Sequence, residues 1–430
     1  MSTEITQVRG RRVWDSRGRP TVEVEVSRAD GVVGRAIAPA GASRGSGEAV
    51  DRRDGGDRLG GWDVRGAVAA VEVEIGPCLR GRDVRDQAGL DAALIELDGR
   101  PDKGRLGGNA IVATSMAVAH AAAGPTPLWR HLRGGGGDDG IRLPLPEIQI
   151  FGGGAHAGRR IDLQDFMVVP VGAPDYATAL EWVAEVHLAA GRLLADAGML
   201  QGFADEGGYW PAFSGNEHAV EMLVRSIEGA GFTAGVDLAI SLDVAASEFH
   251  HDGIYRLESE DRSLDADGLS EMLLGWIDRY PIVMIEDPLV EFDRDGFVAF
   301  TRAAGERVQI IGDDYLVTDA SRVEAAARDR AVDAVLVKPN QAGTLTEARA
   351  AFDAARAVGL GAIVSARSGE SEDTTVMHLA VGWGAAQLKV GSITRGERTA
   401  KWNEGLRIAD HLGGDGPLPD PSEFPWGRAR

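Results

Sequence analysis

Short apolar runs that end on a charged side chain recur through the second half of the chain. They are AISLD with Asp243, IVMIE with Glu286, VQIIGD with Asp313, AVLVK with Lys338, AIVSAR with Arg367 and AQLK with Lys389. Successive charged residues lie 43, 27, 25, 29 and 22 positions apart. Each interval has room for a strand, a loop, a helix and a second loop, which is the βα repeat. The helix after the fourth run is well signalled. In TLTEARAAFDAARAVG, Thr344 and Glu347 predict a capping box, Ala348, Ala351, Phe352 and Ala355 make one apolar stripe, and Gly359 ends it. Six successive units imply parallel strands buried on both faces. Closed into a (β/α)8 barrel, such strands bring all their downstream ends to one mouth. An open sheet would gather only the ends near a switch point. The pattern favours the barrel.

The first part of the chain has a different rhythm. Thr21 to Val26 (TVEVEV) alternates as a half-buried strand should, and GVVGRAIAPA follows the turn signal ADG as its hairpin partner. Helical segments are expected near 63–80, 84–98 and 108–123, and RGGGGDDG (133–140) reads as a linker. The expected organisation is an α+β domain over 1–130 and an α/β barrel over 141–430.

Composition narrows the function. Apolar content of 44% and charged content of 26% are those of a soluble globular protein. A formal net charge of −21 argues against nucleic acid or an anionic membrane as partner, while leaving room for a local cationic pocket. Cys78 is the only cysteine, so no intrachain disulfide can form. No apolar leader or long apolar stretch is present, and a cytoplasmic protein is expected. Of the 45 basic residues all but four are arginine, and two of those lysines, Lys338 and Lys389, stand at strand ends. Lysine gives up its proton far more readily than arginine.

The gathered side chains suggest a reaction. Asp243, Glu286 and Asp313 would repel one another unless a cation intervened. All-oxygen ligands suit a hard divalent ion, Mg2+ first and Mn2+ next. Salt bridges to lysine and arginine are the other arrangement the pattern allows. Lys338 or Lys389 beside a dication would favour the neutral amine, a plausible general base. Arg367 with Ser368 makes an anion clamp. Together these favour removal of a proton α to a carboxylate.

At this point the chain resembles the enolase (phosphopyruvate hydratase) family over nearly its whole length. The matching segments are VWDSRGRPTVEVEV, APAGASRGSGEA, GGGAHAGRRIDLQDFM, ADEGGYWP, LDVAASEF, IEDP, GDDYLVT, LVKPNQAGTLTE, ARSGESED, LKVGS and RTAKWNEGLRI. The resemblance implies an N-terminal α+β capping domain and a modified (β/α)8 barrel whose second strand is antiparallel. It implies Asp243, Glu286 and Asp313 as ligands of one Mg2+, with Ser43 helping to hold a second. It implies Lys338 as the base at C2 of a phosphoglycerate, Lys389 on the substrate carboxylate, and Glu206 as the acid that helps the C3 hydroxyl leave. It implies His156, matching the histidine of a second mobile loop, and Asp165 as catalytic residues, with Gln164 binding the substrate. Arg367 and Ser368 match the phosphate-binding pair. A homodimer or octamer is expected.

The departures from the family pattern fall at the site. Ala366 stands where a histidine is expected, Asp165 where a glutamate is, and Gly152 where an asparagine is. Ala40 and Arg44 replace the serine and threonine flanking Gly41–Ser43, and Arg159 and Arg160 follow His156-Ala157-Gly158. More room and more positive charge would suit a bulkier or more anionic substrate. The specialised carboxyphosphonoenolpyruvate synthases are similar in this sense, with Arg44, Arg159 or Arg160 meeting an extra carboxylate near Ala366. A catalytically silent enolase fold kept for binding is the alternative from another class.

Overall fold

The alternating TVEVEV segment lies in the middle of an antiparallel sheet. Its strands are β1 (Ile5–Trp14), β2 (Pro20–Arg28) and β3 (Val33–Ile37), with β2 central. Val22, Val24 and Val26 are fully buried, and β2 and β3 pack on the helix Gly108–Ala123, whose small side chains permit close approach. The strand β1 breaks strict alternation with three arginines, which is why the hydrophobic pattern does not announce it. Helical turns run through 65–79, Gln87–Asp98 and Gly108–Ala123, close to the predicted spans. This computed structural model describes residues 2–428 apart from 136 and 139; the stretch 133–140 read as a linker therefore includes two positions outside the described residues.

The second unit opens with β4 (Leu145–Gly152) and β5 (Asp165–Val169). A hairpin of β6 (Leu200–Phe203) and β7 (Tyr209–Pro211) hangs on β4, and β8 (Ala239–Asp243) follows. A small outer sheet is formed by β9 (His250–His251), β10 (Ile254–Leu257) and β11 (Arg262–Leu264). The regular rhythm then yields β12 (Ile282–Glu286), β13 (Gln309–Gly312), β14 (Ala334–Val337), β15 (Gly361–Ser365) and β16 (Gln387–Gly391). Barrel order is β4-β5-β8-β12-β13-β14-β15-β16, closed by parallel pairing of β16 with β4. Only β5 runs antiparallel to both neighbours. Its first residue, not its last, therefore points to the mouth, and Asp165 sits in register with Asp243.

The barrel interior is apolar toward the floor, where Leu145, Val169, Ala239, Met284, Ile311 and Leu336 meet Phe424 and Trp426 of the C-terminal segment. Outside, the βα helices follow their stripes. In Leu345–Ala357, Ala348, Ala351, Phe352 and Ala355 are buried as the pattern predicts. Thr344 accepts the Glu347 amide at 3.2 Å, but the Glu347 carboxylate takes the Thr344 hydroxyl (2.7 Å) and the Lys103 ammonium (2.9 Å). Only the forward half of the predicted capping box forms, because Lys103 of the N-terminal unit competes for the carboxylate.

The N-terminal unit is tied to the barrel mouth by backbone and side-chain bonds. Ala40 pairs with Gly369, Ala49 donates to Gln341, and the buried Asp91 accepts the Thr346 amide and hydroxyl at 3.0 and 2.5 Å. Arg398 is fully buried behind β15 and β16. It donates to the carbonyls of Arg367 (2.6 Å), Val390 (2.9 Å) and Ser368, fixing the turn that follows β15. Arg398→Met would take the guanidinium donor away from all three carbonyls, leaving Ser368 only the Ser16 hydroxyl. A stability loss of about 3 kcal/mol in urea unfolding is expected; a loss below about 1 kcal/mol would show that the turn does not depend on this residue.

Candidate active site

The six charged strand ends do converge. Asp243 and Glu286 are the last residues of β8 and β12, Asp313 and Lys338 follow β13 and β14 directly, and Arg367 and Lys389 reach in from β15 and β16. All six are buried. Lys389 Nζ lies 2.6 Å from Glu286 Oε2, 2.9 Å from Asp243 Oδ2 and 3.8 Å from Asp165 Oδ2. Lys338 Nζ donates to Asp313 Oδ2, and Gln341 Nε2 donates to Asp313 Oδ1 at 2.8 Å. Gln164 Nε2 donates to Asp243 Oδ2 at 3.0 Å. Asp287 orients the turn after β13 by accepting the amides of Asp313 (2.9 Å) and Asp314 (2.7 Å).

Burial without full compensation shifts these groups. Glu286 is pushed well above an ordinary glutamate, first by burial and then by Asp243. Burial pulls Lys389 down, but Asp243, Glu286 and Asp165 outweigh it and carry the amine well above its usual value. Lys338 is raised in the same way, chiefly by Asp313 against burial. The neutral amine expected from the sequence is conditional on a dication beside it; the carboxylate partners by themselves favour the charged form of both amines.

A second set of groups faces this one. His156 Nδ1 is 2.9 Å from Asp165 Oδ1, and its Nε2 is 4.0 Å from Glu206 Oε1. Burial lowers His156, but Asp165 and Glu206 raise it to about 9. Burial raises Asp165, yet His156 and Lys389 bring it down to about 2. Glu206 is raised, first by burial and then by Asp165, so it holds a proton more firmly than an exposed glutamate. Between the two sets lies a small cavity lined by Ser43, Gln164, Glu206, Lys338, Ala366 and Lys389, among others.

The loop Gly41–Ser43 closes one side. Arg367 donates to the Ser43 carbonyl (3.0 Å), to Asn340 Oδ1 (3.0 Å) and to both oxygens of Glu48 (3.0 and 3.1 Å). A Cβ at position 41 would lie 2.0 Å from Arg367 Nη2, so only glycine lets the loop pass this close. Ser368 accepts Arg17 Nη1 at 3.2 Å. The extra arginines point elsewhere. Arg44 donates to the Ala49 carbonyl at 3.0 Å and lies 3.8 Å from Glu48, which draws it off the cavity. Arg159 pairs with Glu248 at 2.6 Å and Arg160 lies over the Trp210 ring. The space at Ala366 thus meets none of the three.

Two domain models match the chain: the enolase N-terminal domain over residues 5–132 and the enolase C-terminal TIM barrel domain over residues 140–419. The chain is also 46% identical over 426 residues to Enolase 1 of Desulfitobacterium hafniense (strain Y51), covering 98% of this chain and 97% of that protein. The chain belongs to the enolase family. It is an enolase-type hydro-lyase with the family's mixed barrel, and no helix among the described residues is long and apolar enough to cross a membrane.

A family that implies Mg2+ needs carboxylates to hold it, and among the described residues two buried groups are close enough to share an ion: Asp287, Asp313 and Asp314, and His156, Asp165 and Glu206. Among the described residues, Glu286 Oε1, Asp165 Oδ2, Gln164 Oε1 and Glu206 Oε2 are buried with no hydrogen-bond partner. Unsatisfied oxygens around an incompletely compensated carboxylate cluster are what a hard dication satisfies. Several structural partners escaped the sequence reading. Glu48, Gln341 and Gln149 hold Arg367, Asp313 and Asp165 from a loop, a helical turn and a strand, and no motif spacing marks them.

The raised His156 makes stability pH-dependent. Its contribution is complete below about pH 6.5 and is lost as pH rises through about 9. Metal-free protein should lose thermal stability across that window, and His156→Gln should flatten the slope. An unchanged slope in the variant would contradict the assignment.

Proposed function

We propose that the chain dehydrates 2-phosphoglycerate to the enolpyruvate phosphate. The observation that carries this reading is the opposition across one small cavity of two amines on carboxylates and the buried Glu206 beside His156. Lys338 takes the proton from C2. Lys389 lies against the substrate carboxylate, where negative charge grows as that C–H bond breaks. Glu206, held beside His156, gives its proton to the departing C3 hydroxyl, and the C3–O bond breaks to release water. Arg367 and Ser368 bind the phosphate.

Asp243, Glu286 and Asp313 would hold one Mg2+ and Ser43 would help with a second. The ions would supply positive charge against the carboxylates and the developing dianion. Asp313 is the partner that favours the charged form of Lys338, and a cation held by Asp313 would weaken that pairing and favour the neutral amine a base needs. The reading includes a capping role for residues 1–130 over a 141–430 barrel, a homodimer or octamer, and a cytoplasmic setting. Arg44, Arg159 and Arg160 are engaged away from Ala366, which favours phosphoglycerate itself over a carboxyphosphonate analogue. The intact amines and carboxylates speak against a silent binding protein.

Purified protein with Mg2+ should convert 2-phosphoglycerate with kcat/KM of about 10⁴ M⁻¹s⁻¹ or more. Lys338→Ala should lower kcat by about 10³-fold, and chelation should abolish turnover. Equal rates in Lys338→Ala and the parent protein, or a preference for the carboxyphosphonate analogue, would overturn the reading.

A further inference from the structure

Gln149, in the middle of β4, is fully buried and bonded at both ends of its amide. Its Nε2 donates to Asp165 Oδ1, the same oxygen that holds His156 Nδ1. Its Oε1 accepts the Gly208 amide at 2.8 Å, two residues beyond Glu206. One side chain therefore links Asp165, which orients the imidazole, to the turn that carries the acid. The backbone repeats the link, since the Asp205 amide donates to the His156 carbonyl at 3.0 Å.

The packing around this amide is close on both sides. A Cβ at Gly208 would lie 2.5 Å from Gln149 Oε1 and 3.0 Å from its Cγ and Cδ. With Gln149 wholly enclosed, the amide has nowhere to retreat, so glycine at 208 is what lets it reach the turn. At the other end, Asp165 is one methylene shorter than the glutamate expected at its position. The length of Gln149 closes that gap.

We propose that Gln149 is a positioning residue for the acid half of the reaction, compensating for the short Asp165. It fixes the Asp165 carboxylate, and through it His156 and Glu206, at the distance that proton delivery to the leaving hydroxyl requires. The proposal rests on the dehydration reading given above. Its geometry makes a specific demand: one methylene can be moved across the pair without changing the span between the two backbones.

The test is a four-protein set: the parent, Gln149→Asn, Asp165→Glu and the double variant carrying both. Gln149→Asn pulls the donor back, and Asp165→Glu pushes the carboxylate into the amide. Each single change should lower kcat for 2-phosphoglycerate by about 10²-fold, the usual cost of a misplacement near 1 Å, with KM changed by less than about threefold. The double variant should be more active than either single variant. The same set is read without turnover through the His156 imidazole 15N resonances of metal-free protein, which should move in each single variant and return in the double. Melting temperatures identify any variant that fails to fold, and Gly208→Ala, which displaces the amide from the other side, then gives the same kcat loss independently. A double variant no more active than the better single, with resonances that do not return, would overturn the proposal. If the parent protein fails to turn over 2-phosphoglycerate while the resonances still follow the set, the dehydration reading falls and the positioning role stands.

Discussion

The barrel mouth is governed by one constraint: buried charge must be matched by buried charge. Asp243, Glu286 and Asp313 come from three adjacent strands, and each is enclosed. Isolated carboxylates in such surroundings would take up protons or unfold the mouth. Lys389 lies against two of them and Lys338 against the third, and the amines are themselves held charged by the same contacts. The compensation is incomplete, as the raised Glu286 and its unpartnered oxygen show. A site left short of positive charge in this way is prepared for a dication.

The rest of the fold serves that mouth. Reversal of β5 brings the start of a strand to the place where the others end, so Gln164 and Asp165 join the cluster. The N-terminal unit supplies the second wall. Its Gly41–Ser43 loop meets Arg367, and Glu48 holds the guanidinium through both carboxylate oxygens. Arg398 then fixes the turn carrying Arg367 and Ser368 from behind. Each layer restrains the one inside it, which is how a catalytic geometry is kept on a scaffold of this size.

Much of this was legible in the chain. The repeat of apolar runs gave the strands from β8 and β12 to β16, because buried parallel strands have a strong and regular signature. The charged residue at each end gave the mouth. What stayed hidden has physical reasons. Strand β1 is rich in arginine and half exposed, so alternation does not mark it. Strand β5 is antiparallel, and a reading that looks only at downstream ends misses Asp165; the resemblance to a family supplied it. The protonation of Lys338 depends on whether its neighbour is a carboxylate or a metal-bound carboxylate, which spacing does not encode. Gln149, Glu48 and Gln341 act through contacts between distant segments, and a lone glutamine carries no local signal. Arg44 looked like a ligand for an extra anion because it follows the loop serine, but Glu48 four residues on is a nearer partner.

The central claim is that the lysine–carboxylate lattice exchanges its internal charge balance for a metal ion. Calorimetric titration of metal-free protein with Mg2+, run near neutral pH in buffers of different ionisation enthalpy, measures this directly. Binding should release protons, since a dication would counter the upward shifts of Glu286 and Lys338. The release should shrink in Asp313→Asn, where the Lys338 partner is lost, to the part that Glu286 supplies. Failure to bind Mg2+ at millimolar concentration, or binding with no proton released, would contradict the account.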